Sequence, residues 1–283
     1  MRLVSLLVFA VACAPGKLAL DEDGVAMLFS SAPGASFRLG SQDPNASDRF
    51  SIEQNTKATA ANEGALQFWT VAAHPLTYAG GGTGTTVRLH IQASGGPQQF
   101  TWKTQRGYLA NPNDVRNQEF TAYVRVHVTD PKRATVVMKI RGGAHSATNG
   151  DLASCVMLDY KPTAAQFGKE LIHPQYDYLQ LTPRFDAGLA DNRWVGLKMV
   201  SYAPPGDSTR VVNRLYLDID PFDGNGKPRN AWRLFSEYTD VAGVSTGQYA
   251  TLVDWGGWLT TVRSDGISRL DFLLVGVREI APR

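Results

Sequence analysis

Basic and aromatic side chains occupy every second position on both sides of a short turn in residues 120–145. A period of two is typical of half-buried strands, so we predict a β-hairpin with one apolar and one cationic face. The side chains of the cationic face are Tyr123, Arg125, His127, Lys139 and Arg141. No carboxylate occurs in this row, which favours a binding face for an acidic polymer or a catalytic groove over an ordinary solvated sheet surface.

A second cationic strand is predicted at residues 86–93, TVRLHIQA. Its valine, leucine and isoleucine face one way, so Arg88, His90 and Gln92 share the opposite face. We expect this strand to lie beside the hairpin and to extend the same face.

An acidic run follows a predicted strand at residues 214–219. Asp218, Asp220, Asp223 and Asn225 alternate oxygen donors around a glycine turn, as a calcium site does. Asp-Gly and Asn-Gly are also strong hairpin signals, and the spacing does not fit an EF-hand. The pattern favours a hairpin turn, with structural calcium as the alternative and no other cofactor required.

Short alternating segments separated by glycine- and proline-rich turns fill most of the chain. Strands at this spacing indicate an all-β antiparallel sandwich, a jelly roll. Only residues 164–174, AAQFGKELIHP, are predicted to form a helical turn or two. We divide the chain into residues 1–13, a linker with edge strands at 14–65, and one domain at 66–283.

The first residues have the pattern of an export signal, with Arg2 before an apolar run that is too short to span a bilayer. Ala10-Val11-Ala12-Cys13 resembles a lipobox, which predicts either a cleaved secretory peptide or a lipid anchor at Cys13. The protein is therefore expected to be secreted or extracytoplasmic. The net charge of +2, without a lysine and arginine run, predicts no nucleic-acid partner.

The order of these elements over residues 85–280 resembles the concanavalin A-like jelly-roll superfamily, and within it the alginate- and glucuronan-type polysaccharide lyases. The segments that carry the resemblance are KIRG at 139–142, WVGLKMVSY at 194–202, VNRLYLDID at 212–220, RLFSEYTD at 233–240 and LDFLLVGVREI at 270–280. The lyases' Arg-x-Glu-Leu-Arg strand is here Arg88 to Gln92, with His90 for Glu, and their catalytic His falls on Arg141. No YFKAG-type motif is found.

The resemblance implies β-elimination from an acidic polysaccharide, a polyuronate. Such a lyase neutralises a carboxylate, removes the neighbouring C5 proton and protonates the leaving oxygen. Arginine suits the first task and histidine or tyrosine the others. We expect His145 as the base, Tyr123 or Tyr216 as the acid, and Arg141 at the carboxylate. The expected substrate-binding residues are Arg88, His90, Gln92, Arg125, His127, Lys139, Tyr216 and Trp255.

Three alternatives stay open at the level of sequence. The same basic face fits a non-catalytic carbohydrate-binding protein or cell-surface lipoprotein, and the sandwich fits a structural or assembly protein. His90, His127 and His145 would hold a metal if their strands were neighbours, although they lack the close pair of a zinc or copper site.

Overall fold

The computed structural model describes residues 18–78, 80–93, 114–143, 154–183, 186–243 and 250–282. Two antiparallel sheets, named sheet I and sheet II here, pack face to face. Sheet I contains β1 Ser30–Arg38, β3 Thr59–Glu63, β4 Leu66–Ala72, β7 Gln118–Val128, β12 Trp194–Tyr202, β13 Arg210–Asp218, β14 Arg233–Val241 and β16 Ile267–Ala281. Its strand order is β14-β13-β12-β7-β16-β4-β3, and β1 also pairs with β16.

Sheet II contains β2 Phe50–Ile52, β5 His74–Thr77, β6 Thr83–Gln92, β8 Thr135–Gly142, β9 Cys155–Tyr160, β10 Ala164–Ile172, β11 Gln175–Pro183 and β15 Leu259–Asp265. Its order is β11-β10-β9-β8-β15-β6-β2, and β5 also pairs with β6. Two short 3₁₀ turns, Pro44–Ala46 and Glu53–Asn55, complete the described elements. The predicted all-β jelly-roll sandwich is confirmed.

The core lies between the sheets because each central strand turns its alternate apolar residues inward. Val124 and Val126 of β7 meet it from sheet I, and Leu89 of β6 and Met138 of β8 meet it from sheet II. All four are fully buried. The inward positions predicted from the period of two are therefore correct.

The predicted hairpin of residues 120–145 is wrong, because its two strands belong to different sheets. β7 pairs with β12 and β16, whereas β8 pairs with β9 and β15. The turn at Asp130 leads the chain from one sheet to the other. Both strands have an apolar inner face because they contact the same core from opposite sides, so their cationic faces point away from each other.

Residues 164–172 are also a strand, β10, and not the predicted helical turn. β10 pairs with β9 on one side and β11 on the other. Its glycine and polar residues hid the period of two, and pairing on both edges decides the conformation. Among the described residues, no helix is long and apolar enough to cross a membrane.

Candidate functional site

The outer face of sheet I is covered by the chain's own N-terminal segment. The buried Glu119 accepts hydrogen bonds from the backbone N–H groups of Leu28 and Phe29, at 3.1 and 3.3 Å. The same carboxylate accepts from Lys198 Nζ at 3.0 Å and from Arg278 at 2.8 Å. These contacts hold the segment before β1 on the sheet, and a cavity of about 490 Å³ lined by Glu119, Lys198 and Arg278 remains beside it.

Tyr123 lies on sheet I under the loop that joins β13 to β14. Its ring packs 5.1 Å from Phe222 and 5.5 Å from Trp232, centroid to centroid, and it is fully buried. Burial raises the pKa of Tyr123, with Asp218 adding to the effect. A phenol enclosed in this way does not reach a ligand, so Tyr123 is not part of the candidate site.

Arg125 and His127 lie on the same outer face, and both are bound to Asp271. Arg125 Nε donates to Asp271 Oδ2 at 2.8 Å, and His127 Nε2 lies 2.8 Å from the same oxygen. The Arg125 guanidinium also binds Glu63 and sits 4.9 Å from the ring centroids of Phe68 and Trp194. Asp271 of β16 and Glu63 of β3 thus supply carboxylates to Arg125, although the segment from Tyr123 to His127 contains none.

Tyr216 is another predicted site residue of sheet I, on β13. It is half-buried and packs against the small cluster that contains Val200, Tyr202 and Ile280. Burial raises its pKa. Sheet I therefore carries Tyr123, Arg125, His127 and Tyr216, whereas Arg88, His90, Gln92 and Lys139 lie on sheet II.

A groove of about 550 Å³ runs over the outer face of sheet II. We call it the sheet II groove. Its polar and aromatic lining residues are Glu53, Tyr78, Arg88, Lys139, Asp159, His173, Tyr176, Tyr178, Arg263 and Asp265. The strands β6, β15, β8 and β9 form its floor, and β11 and the segment after β5 form its walls.

Two arginines lie side by side on the floor of the groove. Arg88 and Arg263 are cross-strand partners on β6 and β15. Arg88 binds Glu53, and Arg263 is held by Asp265, with Nε–Oδ1 at 2.9 Å and NH2–Oδ2 at 2.7 Å. Burial and the neighbouring Arg263 lower the pKa of Arg88, whereas Asp265 overcomes burial and raises the pKa of Arg263. The positive charge of each guanidinium is therefore balanced by a neighbouring carboxylate, Glu53 for Arg88 and Asp265 for Arg263.

A histidine is held beside the arginines by a buried carboxylate. Glu170, which is fully buried, binds Lys139, and its Oε1 lies 2.5 Å from His173 Nδ1. Burial alone would raise the pKa of Glu170, but hydrogen bonds from His173 and Lys139 outweigh it and lower the pKa to about 2. The carboxylate stays charged and favours the proton on His173 Nδ1, so Nε2 is the nitrogen suited to act as a base.

Tyrosines form the wall of the groove above these charges. The Tyr176 ring lies 6.4 Å from the His173 ring and 6.3 Å from the Tyr178 ring, and Lys139 Nζ lies 5.2 Å from the Tyr176 centroid. Burial raises the pKa of Tyr176 although Lys139 opposes it. A neutral phenol beside a basic imidazole is the pair that a proton-transfer reaction needs.

His90 and Gln92 share the outer face with Arg88, as the sequence predicts, and both are half-buried. His90 Nδ1 lies 3.3 Å from Thr261 Oγ1. Burial, with Arg88 and Lys139 nearby, lowers the pKa of His90 to about 4. His90 is therefore neutral near pH 7.

Arg141 turns away from this face. Its φ of 55° reverses the alternation of β8, and its buried side chain donates from Nε to Ser201 Oγ on sheet I at 2.7 Å. Its NH1 donates to the Trp255 carbonyl oxygen at 3.0 Å, and burial lowers its pKa. Arg141 ties the two sheets together, and Trp255 packs against the core. His145 lies outside the described residues.

The acidic run after β13 forms the predicted turn. Asp223 Oδ1 accepts the N–H groups of Asn225 and Lys227 at 2.8 and 2.9 Å. Asp218 Oδ2 accepts from the Ala231 N–H at 2.9 Å, and the exposed Asp220 lies near Arg229. The three carboxylates serve separate contacts, and the part of the chain that the structure describes contains no group of three acidic, histidine or cysteine side chains placed for a metal.

Sequence reasoning missed several residues of the groove: Glu53, Tyr78, Asp159, Glu170, Tyr176, Tyr178, Arg263 and Asp265. Thr261, Arg263 and Asp265 alternate with Thr260, Val262 and Ser264, so Val262 alone marked the inner face of this strand. The tyrosines of β11 were hidden by the helix predicted just before them. His173 fell at the end of the predicted helical turn, and only the fold brings it into one groove with Arg88.

No protein-family model matches this chain, and no curated protein sequence matches it. Solved structures do match its fold. An endo-β-1,4-glucuronan lyase from the fungus Trichoderma reesei is similar with a TM-score of 0.47 and 13% identity, over 87% of this chain and 95% of that one. A protein of unknown function with a galectin-like fold from Bacillus subtilis has a TM-score of 0.46 and 10% identity, over 90% and 100% of the two chains.

An alginate lyase from a Chlorella virus is also similar, with a TM-score of 0.40 and 7% identity, over 81% of this chain and 92% of that one. The jelly-roll arrangement of strands itself is shown by the pairing within the two sheets.

Proposed function

We propose that the sheet II groove binds an acidic polysaccharide and cleaves it by β-elimination. One observation carries the proposal: the groove brings an arginine pair, Arg88 and Arg263, together with the Glu170-held His173 and with Tyr176. These are the residue types that the three tasks of a polyuronate lyase require. They converge in one groove on the outer face of sheet II.

Each residue then has a defined task. Arg88 and Arg263 bind the uronate carboxylate and withdraw its charge, which makes the C5 proton more acidic. His173 Nε2 accepts that proton. The C5 electron pair forms the C4=C5 double bond as the C4–O4 bond breaks, and the Tyr176 hydroxyl protonates the departing oxygen. Solvent afterwards returns the protons of both side chains to their starting state.

Tyr178 and Tyr78 line the same groove and offer aromatic surface for sugar rings. Cations already lie over both rings, with Lys161 Nζ 5.5 Å from the Tyr178 centroid and Arg133 4.5 Å from that of Tyr78. These contacts fix the ring positions without closing the groove. We assign the two tyrosines to binding and not to proton transfer.

The test is the ultraviolet absorbance of the new C4=C5 double bond with glucuronan, alginate and pectate as substrates. His173→Asn and Tyr176→Phe should each lower kcat roughly 10²-fold or more, the usual contribution of one general acid or base. His127→Asn, a histidine change on sheet I, is the matched control and should leave kcat unchanged. Absence of the absorbance with every polyuronate would refute the lyase.

A second candidate is a carbohydrate-binding protein without catalysis, and the pairing of both arginines with protein carboxylates favours it. It predicts retention on polyuronate gels with no new absorbance. In that case Arg263→Lys should weaken retention, while His173→Asn should not. If the protein is retained on no glycan, the structural or assembly role is the remaining candidate.

Export is part of this proposal, since such polymers lie outside the cell. The predicted signal and Cys13 fall outside the described residues. Mass spectrometry of the mature protein distinguishes a cleaved secretory peptide from acylation of Cys13, because only the second adds the mass of lipid chains.

A further inference from the structure

The two arginines of the groove differ in how firmly their carboxylate partners are held. Arg263 and Asp265 lie on the same strand, two residues apart, and meet through two separate N–O contacts. The exposed fractions of their side chains are 13% and 9%. This pair is built into β15, so a ligand meets it as a fixed unit.

The partner of Arg88 comes from outside the central strands. Glu53 follows the three-residue strand β2 and begins the 3₁₀ turn Glu53–Asn55, in which Gln54 and Asn55 have φ values of 59° and 55°. Its side chain is 25% exposed, whereas that of Arg88 is 5% exposed. Glu53 therefore reaches from the rim of the groove to a buried guanidinium.

Glu53 also contacts a histidine. His74 Nε2, at the start of β5, lies 3.3 Å from Glu53 Oε2, while Oε1 faces Arg88. The Glu53 carboxylate thus spans Arg88 on the floor and His74 on the rim, and it is bound to a guanidinium that the proposed function assigns to the ligand carboxylate.

We infer that Glu53 is a specificity-determining residue, an internal carboxylate that only a carboxylate-bearing ligand displaces from Arg88. A sugar hydroxyl is a weaker acceptor for a guanidinium than a carboxylate is, so a neutral sugar leaves the Arg88–Glu53 pair intact. A uronate brings its own carboxylate, which replaces that of Glu53 on Arg88. The ligand thereby gains the contact with the guanidinium. This inference rests on the proposed function only in taking the ligand to be a uronate.

The test compares methyl glucuronide with methyl glucoside, which differ at the carboxylate, by calorimetric titration. Glu53→Gln keeps the shape of the side chain but leaves Arg88 without a counter-charge, and an unpaired buried charge gains strongly from a new partner. Methyl glucuronide should bind at least about tenfold more tightly to Glu53→Gln than to the unmodified protein, a change of about 1.4 kcal/mol. Methyl glucoside should gain measurable binding.

Glu63→Gln is the matched control, since Glu63 pairs with Arg125 on the outer face of sheet I. It should leave both affinities unchanged. If Glu53→Gln does not fold, Glu53→Asp replaces it, because the shorter side chain weakens the contact with Arg88 and should also tighten glucuronide binding.

The two proposals fail separately. Tighter glucuronide binding by Glu53→Gln with no cleavage of any polyuronate by the unmodified protein supports the role of Glu53 and refutes the lyase. Cleavage by the unmodified protein, with glucuronide affinity unchanged in a folded Glu53 variant, overturns the role of Glu53.

Discussion

Glu170 Oε1 and His173 Nδ1 lie 2.5 Å apart at the end of β10, and the same carboxylate binds Lys139. The contact fixes both the orientation of the imidazole and the nitrogen that carries its proton. Glu170→Gln should therefore lower kcat about 10²-fold with little change in KM, because it removes the group that positions the base and leaves the arginines in place. The measurement is a pH profile of kcat.

The pH profile separates positioning from folding. In Glu170→Gln the carboxylate that orients His173 is gone, so kcat should be lower at every pH at which both proteins are folded. Glu237→Gln is the control, since Glu237 pairs with Arg214 on sheet I. A Glu170→Gln enzyme with unchanged kcat and profile would remove Glu170 from the mechanism.

The neutral His90 should give the protein an acid-sensitive stability. Its pKa is about 4 in the folded state, against 6.5 for the unperturbed group, so between these values the unfolded chain binds the proton and the folded protein does not. The stability is fully present above pH 6.5 and falls as the pH drops towards 4, by up to about 1.4 kcal/mol per pH unit.

His90→Gln should abolish this component, which urea unfolding at several pH values measures. The free energy of unfolding of the variant should fall less between pH 6.5 and 4 than that of the unmodified protein. Glu170 contributes below this window, because its pKa of about 2 makes its stabilisation disappear only as the pH falls below about 4.3. An equal slope in the two proteins would contradict the assignment to His90.

The sequence was sufficient for the fold class and for most strands. Strict alternation in β6, β7 and β8 predicted their inner residues correctly, because a period of two separates a core face from an outer face regardless of pairing. The alternation did not predict which strands pair with each other. An arch between two sheets and a hairpin within one sheet give the same alternation, so β7 and β8 were placed side by side.

The prediction of the candidate site had the same limit, because alternation along a strand does not show to which sheet the strand belongs. Arg88 and Lys139 were predicted and line the groove, because both lie on strands of sheet II. Arg125 was assigned to the same face and lies on sheet I, where Asp271 of β16 neutralises it. Asp271 lies on a neighbouring strand that is distant in sequence from Arg125, so a row without carboxylates in one segment does not predict a cationic surface.

The separation of the two outer faces can be measured directly with one conservative change on each. Arg263→Lys loses the two-contact fork to Asp265 and should lower kcat/KM for polyuronate at least about tenfold. Arg125→Lys loses the stacking between Phe68 and Trp194 and should cost about 1–3 kcal/mol of stability with kcat/KM within about twofold. Equal losses of activity would contradict the placement of the site on sheet II.

Gly196 lies beneath the aromatic cluster on the outer face of sheet I. It is the cross-strand partner of both Tyr123 and Asp218. A Cβ atom there would lie 2.8 Å from the Trp232 ring and 2.9 Å from the Tyr123 ring. Gly196→Ala should therefore destabilise the protein by about 1–3 kcal/mol through overpacking, as measured by denaturant unfolding. Gly224→Ala is the control in the adjoining loop, where a Cβ meets nothing within 4 Å.

Because the cluster lies on the sheet opposite to the groove, kcat of the folded Gly196→Ala protein should equal that of the control. A Gly196→Ala protein as stable as Gly224→Ala would show that the aromatic cover over Tyr123 is loose, and Tyr123 would return as a candidate for ligand contact.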